Sequence, residues 1–196
     1  MFQAIDLKTA LFGPVSFAVA AGECLVLRGP SGAGKSQLLR ALADLDPSEG
    51  EVWLEGIERR AMPVTAWRRA VGLLPAEAAW WHETVGAHFD EPAAVDVVAL
   101  GFRPGVMDWE VTRLSSGERQ RLALLRVLAN HPRVLLLDEP TANLDDDNAA
   151  RVEALVRAYL KEHGACALWV SHDPAEVRRM ADQVLVLDAR GEGQAA

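Results

Sequence analysis

An α/β protein, with strands and helices alternating around a parallel sheet, is what this chain predicts, and three observations carry the prediction. Glu23 to Arg28 is a short apolar run that enters a glycine-rich turn and then the leucine-bearing stretch Gln37 to Ala43. Val134 to Leu137 is the most apolar run of the sequence and stops in two acids. Around these runs the texture of buried strands alternates with that of amphipathic helices, as expected of a parallel sheet with helices on its faces.

Taken in order, Phe12 to Val19 and Glu51 to Trp53 read as strands of an antiparallel flank, joined to the core through Gly22 and Gly50. Glu23 to Arg28 and Gln37 to Ala43 form the first strand–helix unit, and Val71 to Leu74 reads as a further strand. From Glu77 to Arg113 the texture changes to short helical pieces, Thr84 to Phe89 and Ala93 to Leu100, with turn residues Gly101, Pro104 and Gly105. That stretch is expected to be a small helical lobe. Arg119 to Asn130 then reads as a helix stopped by His131-Pro132. Asn148 to His163 places Val152, Leu155, Val156, Tyr159 and Leu160 on one helical face, with Gly164 as cap. Ala165 to Val170 and Gln183 to Leu187 are strands, with a helix opening at Pro174 between them. The expectation is one domain over 1–196, with a core of 1–76 and 114–196 around an inserted lobe at 77–113.

With 196 residues, half of them hydrophobic and 24% charged, the chain can bury a core of its own. Twenty basic residues against twenty-eight acidic ones give a net charge of -8, which argues against a dedicated nucleic-acid binder. No apolar run approaches the ~18 residues of a membrane span. Met1 to Lys8 lacks the pattern of a secretory signal. Cys24 and Cys166 stand alone in apolar stretches, as small buried hydrophobes rather than a disulfide or a zinc ligand set. A soluble intracellular protein is expected.

Chemistry enters at Gly29-Pro30-Ser31-Gly32-Ala33-Gly34-Lys35-Ser36, which matches G-x-x-x-x-G-K-[ST] between a predicted strand and a predicted helix. The glycines let backbone N–H groups turn inward around phosphate oxygens. The following helix offers its positive end, about half a charge, to the same anion. Lys35 would pair with the β- and γ-phosphates and the Ser36 hydroxyl would ligate Mg²⁺. The second half of the site is Val134 to Pro140, where a buried strand sets acids at the carboxyl edge of the sheet. Asp138 can hold the metal through water, and Glu139 can orient and deprotonate a water attacking the γ-phosphate. A plain strand-to-turn junction at Pro140 is the structural alternative for these acids.

Leu114-Ser115-Ser116-Gly117-Glu118, followed by Arg119-Gln120-Arg121, closely resembles the signature sequence of the ABC-type ATPases, usually LSGGQ. Thr141 to Asp145 resembles the D-loop of that family, and Ser171-His172-Asp173 its switch-histidine loop. With the glycine cradle and the paired acids, five motifs stand in family order along essentially the whole chain. The resemblance implies a P-loop NTPase fold and an ATPase subunit of a membrane transporter. It also implies two copies with two ATPs sandwiched head to tail. Ser115, Ser116 and Gly117 would then face the γ-phosphate of the other copy's nucleotide, His172 would contact phosphate from the cradle side, and Asp145 would link the two sites. Separate transmembrane permease subunits are implied as partners, with this chain cytoplasmic and peripheral on the inner face of the membrane. An ABC-type ATPase of DNA repair, chromosome structure or translation, and a nucleotide-binding module without catalysis, are the competing readings.

The sequence departs from the family pattern at several places. Ala76 stands where a glutamine normally touches Mg²⁺, so either Glu77 substitutes or the metal keeps an extra water. Gln37 replaces a hydroxyl residue near the α-phosphate, and Ser116 and Glu118 replace the usual Gly and Gln. Phe12 is the candidate to stack on adenine, with Phe2 behind it; core packing is the competing reading for both. Trp80 and Trp81 cannot both point inward from one helix face. They are candidates for contact with the membrane partner, against packing within the lobe. The stretch Ala165 to Glu176 is similar to small iron-efflux subunits, and haem-export subunits are of comparable size.

Overall fold

The computed structural model describes residues 1–188, 191 and 193–195. The chain opens with β1 (Phe2–Lys8), β2 (Val15–Val19), β3 (Cys24–Arg28), α1 (Lys35–Leu42), β4 (Glu49–Leu54), β5 (Ile57–Glu58), α2 (Val64–Ala70) and β6 (Val71–Leu74). After the lobe come α3 (Ser116–Leu128), β7 (Val134–Asp138), α4 (Asp146–His163), β8 (Cys166–Val170), α5 (Pro174–Met180), β9 (Gln183–Leu187) and β10 (Gly193–Ala195). One sheet of six strands runs β10-β9-β3-β8-β7-β6, parallel except where β10 pairs antiparallel with β9. A second, antiparallel sheet runs β2-β1-β4-β5.

The two-residue period of the central strands divides the interior into two cores. Leu25 and Leu27 of β3, Leu136 of β7, and Leu168 and Val170 of β8 face α1 and the antiparallel sheet. Val26, Leu135, Leu137, Ala167 and Trp169 face α3, α4 and the lobe. Because both faces are covered, these strands read as unbroken apolar runs. The lobe has no core of its own among the described residues: Val85, Phe89, Leu100, Phe102 and Val106 join the same cluster as α3 and α4.

Several elements differ from the sequence expectation, besides the short β5 and β10, which it does not foresee. The strand β1 escapes notice because Asp6 has φ 48° and the register with both neighbours shifts there, which destroys the alternation that marks a strand. The seven-residue α2 buries only Trp67, too little to show a periodic face. The helical pieces of the lobe are all single 3₁₀ turns, Gly86–His88, Pro92–Ala94, Val98–Leu100, Val106–Asp108 and Val111–Arg113. Gly101 and Gly105 take positive φ and end or begin these turns before an α-helical turn can propagate.

Trp67 fastens the antiparallel flank to α1. It is fully buried, its ring lies 6.3 Å from that of Phe2, and its Nε1 donates to the Leu42 carbonyl at 2.9 Å, at the end of α1. Trp67→Ala is expected to cost about 3–5 kcal/mol in urea unfolding, through the cavity and the orphaned carbonyl. Burial pushes the Cys24 and Cys166 thiols up to about 12. Neither should react with Ellman's reagent at pH 8 in the native protein, and both should react once denaturant unfolds it.

Candidate active site

Strand register assembles the site. Val170 of β8 lies opposite both Leu27 of β3 and Asp138 of β7, so three neighbouring strands end level at one edge. Each then releases a functional segment: Gly29 to Ser36 after β3, Glu139 after β7, and Ser171-His172 after β8.

The Gly29–Ser36 loop is held open by contacts that exclude side chains. Gly29 has φ 148°, and a Cβ there would lie 2.5 Å from the Leu187 carbonyl oxygen. Gly34 has φ 90°, and a Cβ there would lie 2.9 Å from Cβ of Phe12. No side chain caps α1, which leaves its first N–H groups free for an anion. Pro30, Ser31, Gly32 and Ser36 are exposed, Ala33 is buried, and Gln37 is half-buried. Lys35 is 8% exposed and folds back across the loop, its Nζ donating to the carbonyls of Gly29 at 3.0 Å and Pro30 at 2.9 Å. Burial lowers its pKa, and the Glu139 and Asp138 carboxylates pull it back up.

Asp138 is buried at the end of β7 with the Ser36 hydroxyl against its carboxylate. Burial raises its pKa and Glu139 raises it further, while the Ser36 hydrogen bond, Lys35 and His172 oppose them. The next residue, Glu139, has φ 48°, a left-handed backbone rare for a side chain of this size. That turn swings its carboxylate out of the strand line to within 3.1 Å of His172 Nε2. Behind the pair, a cavity of about 650 Å³ is lined by Ser171, Thr141, Glu176 and Arg179 among others. The Thr141 hydroxyl donates to the buried Glu176 carboxylate, tying the segment after Glu139 to the helix after His172.

Ser115, Ser116, Gly117 and Asp145 lie elsewhere. Among the described residues no hydrogen bond joins them to the cradle of their own chain. Ser115 caps α3 in a reciprocal box: its Oγ accepts from the Glu118 N–H at 3.3 Å, and Glu118 Oε2 accepts from the Ser115 N–H at 2.9 Å. Glu118 thus serves the box as a glutamine would. Gly117 is buried against the loop before α4, where a Cβ would sit 3.0 Å from the Asn143 carbonyl oxygen. Asp145 caps α4, and hydrogen bonds from the Asn148 N–H and side chain hold its carboxyl below the usual range.

Phe12 is 2% exposed and packs behind Gly34 in the core, and Phe2 is fully buried. Core packing is therefore the reading that their positions fit, and neither presents a ring face to a base. The neighbouring Leu11, which sequence reasoning passed over, is 64% exposed beside the cradle. Thr141, Arg121 and Glu176 stand in stretches that the sequence singles out, but their bonds reach partners 21 to 35 residues away, which no sequence pattern gives.

Comparison with known proteins gives the arrangement a family. Residues 12–142 match the ABC transporter family. The chain belongs to that family. It is 40% identical over 188 residues to the aliphatic sulfonates import ATP-binding protein SsuB 2 of Paracoccus denitrificans, covering 90% of this chain and 73% of the relative. It is 32% identical to the probable iron export ATP-binding protein FetA of Escherichia coli, covering 93% and 87%. STAR1 of Oryza sativa is 36% identical, but the chain spans only 54% of its length. The fold matches the dimeric post-hydrolysis ATP-binding cassette MJ0796 bound to ADP and Pi with a TM-score of 0.86, at 24% identity and 98% of that chain. An ATP-bound bacterial Atm1-family exporter matches at 0.83, with 26% identity over 37% of its chain. As a member of the family, this protein is an ATP-binding and ATP-hydrolysing subunit of a transporter.

Gly34→Ala is expected to strain the loop by about 1–3 kcal/mol. Nucleotide affinity, read by fluorescence titration, should fall by about tenfold or more while the far-UV circular dichroism is unchanged.

Proposed function

We propose that two copies of this chain bind two ATP molecules between them, the cradle of one facing Ser115, Ser116 and Gly117 of the other. Glu139 acts as general base. The observation that carries this reading is the left-handed turn at Glu139, which sets its carboxylate against His172 at the sheet edge that also bears the cradle. Lys35 exchanges its two loop carbonyls for phosphate oxygens when nucleotide enters, and the N–H groups of α1 receive the same phosphates. The exposed Leu11 offers an apolar surface to the base.

The residues fit Mg²⁺. Asp138 is a buried carboxylate whose charge burial disfavours, and a cation would relieve that cost. One hydroxyl and one carboxylate, completed by phosphate and water, are a typical donor set for this ion. Ser36 and Asp138 would hold it, and it would neutralise charge on the phosphates. Glu139 takes the proton of the attacking water, and His172 holds the carboxylate and the γ-phosphate in line. Asp145 reports from one site to the other.

The partner is a membrane permease, which places this chain on the cytoplasmic face of the membrane as a peripheral subunit. No helix among the described residues is long and apolar enough to cross a membrane. Trp81 supports the contact: it is 65% exposed, while Trp80 packs against the core shared with α3 and α4. Between their rings lies the Arg126 guanidinium, 4.7 and 4.8 Å from the two centroids, beside a groove of about 890 Å³. Relatives named for sulfonate import and for iron export match this chain alike, which supports the reading that its partner, and not this chain, chooses the cargo.

Glu139→Gln should lower steady-state phosphate release by about 10²–10⁴-fold and leave an ATP-bound dimer on size-exclusion chromatography with light scattering. Hydrolysis close to that of the parent would remove Glu139 from its role. Trp81→Ala should leave the unfolding free energy of the isolated chain within about 0.5 kcal/mol of the parent. The same variant should reduce co-purification with the membrane subunit.

A further inference from the structure

Arg121 lies on α3, one turn past the serine-tipped terminus, and three elements meet at its guanidinium. Nη1 donates to the Leu100 carbonyl of the lobe at 2.5 Å and to Asn148 Oδ1 of α4 at 2.8 Å. Nε donates to the Gly117 carbonyl at 3.4 Å, and the group lies 4.6 Å from the centroid of the Phe102 ring. Asn148 continues the chain, its Nδ2 donating to Asp145 Oδ2 at 2.9 Å and its backbone N–H to Oδ1 at 2.8 Å. The same turn of the lobe also rests on α4, since a Cβ at Gly101 would lie 3.4 Å from Nη1 of Arg151.

We propose that Arg121 is a positioning residue for the two-copy site, locking the Ser115–Gly117 terminus, Asp145 and the lobe into one unit. The inference rests on the reading that Ser115–Gly117 and Asp145 face the other copy's nucleotide. They begin two different helices, α3 and α4, with β7 and two loops between those helices, so backbone connectivity alone does not hold their spacing. A guanidinium does, because its planar fork serves a carbonyl and an amide at once in fixed directions, whereas a lysine ammonium is a single flexible point. Displacements of about 1 Å in such constellations cost up to ~10²-fold in function. The lobe anchor at Leu100 gives the unit a route for motion: a shift of the lobe displaces both helix starts together.

The test uses the Glu139→Gln chain as parent and reads its ATP-driven dimerisation by sedimentation velocity, with ADP affinity of the monomer measured alongside. Adding Arg121→Ala should weaken the dimer by about tenfold or more and leave ADP affinity within about twofold, a split that general destabilisation would not produce. Arg121→Lys should restore only part of the loss. Asn148→Ala should weaken the dimer less, in the same direction, and the Arg121→Ala, Asn148→Ala double variant should be no weaker than Arg121→Ala alone. A dimer unchanged by Arg121→Ala overturns the proposal. So does a loss with Arg121→Ala while Asn148→Ala matches the parent, because Arg121 would then act directly on the other copy. Should Arg121→Ala not fold, Asn148→Ala decides on the same scale. No ATP-driven dimer in the Glu139→Gln parent itself overturns the proposed function and this inference with it.

Discussion

The hydrogen-bonded register of three adjacent strands is the constraint on which the active site depends. With Val170 level with Leu27 and Asp138, β3, β8 and β7 stop at one line, and whatever follows each strand is delivered to the same place. A register shift of one residue would turn the side chains of a strand to the opposite core. That is forbidden here, because each face is packed against its own covering layer. The chemistry at the edge is therefore located by the hydrophobic effect, acting on residues that take no part in it.

The edge itself carries groups that isolated peptides would not hold. A buried carboxylate, a buried ammonium and a left-handed glutamate are each unfavourable alone. They persist because they compensate one another: Lys35 opposes the negative charges, the Ser36 hydroxyl satisfies Asp138, and His172 meets Glu139. Thr141 and Glu176 extend this arrangement behind the site, joining the segment after Glu139 to the helix after His172. The ATP that this family binds would bring phosphate oxygens to the Lys35 ammonium in this cluster.

The starts of α3 and α4 are built on a different principle. Ser115 and Asp145 cap their helices with local hydrogen bonds, and Gly117 permits close approach of α3 to the loop before α4. Beside that close approach, Arg121 bridges the two capped ends, bonding to the Gly117 carbonyl and to Asn148. The lobe is made of 3₁₀ turns with no interior of its own, so it takes its position from α3 and α4 and is coupled to them at Phe102 and Leu100.

Much of this was readable from the residues in order. The cradle, the acids and the serine-capped helix are local patterns in which one residue type at one position satisfies one backbone requirement, so their chemistry survives being read as a string. The alternation of apolar runs was equally legible, since covering a parallel sheet on both faces leaves its mark on every central strand. The position of Phe12 was not, because whether a ring faces a ligand or a core depends on what packs behind Gly34. The bulge at Asp6 concealed β1, and the turns of the lobe were shorter than their composition suggested. The bonds of Arg121, Thr141 and Glu176 reach across 21 to 35 residues of chain, and no local rule specifies such partners. Sequence alone determined which chemistry the chain carries, because that chemistry is set by residue type and near-neighbour backbone geometry. Tertiary structure alone decided which side chains reach one another, because those distances follow from packing the two cores as a whole.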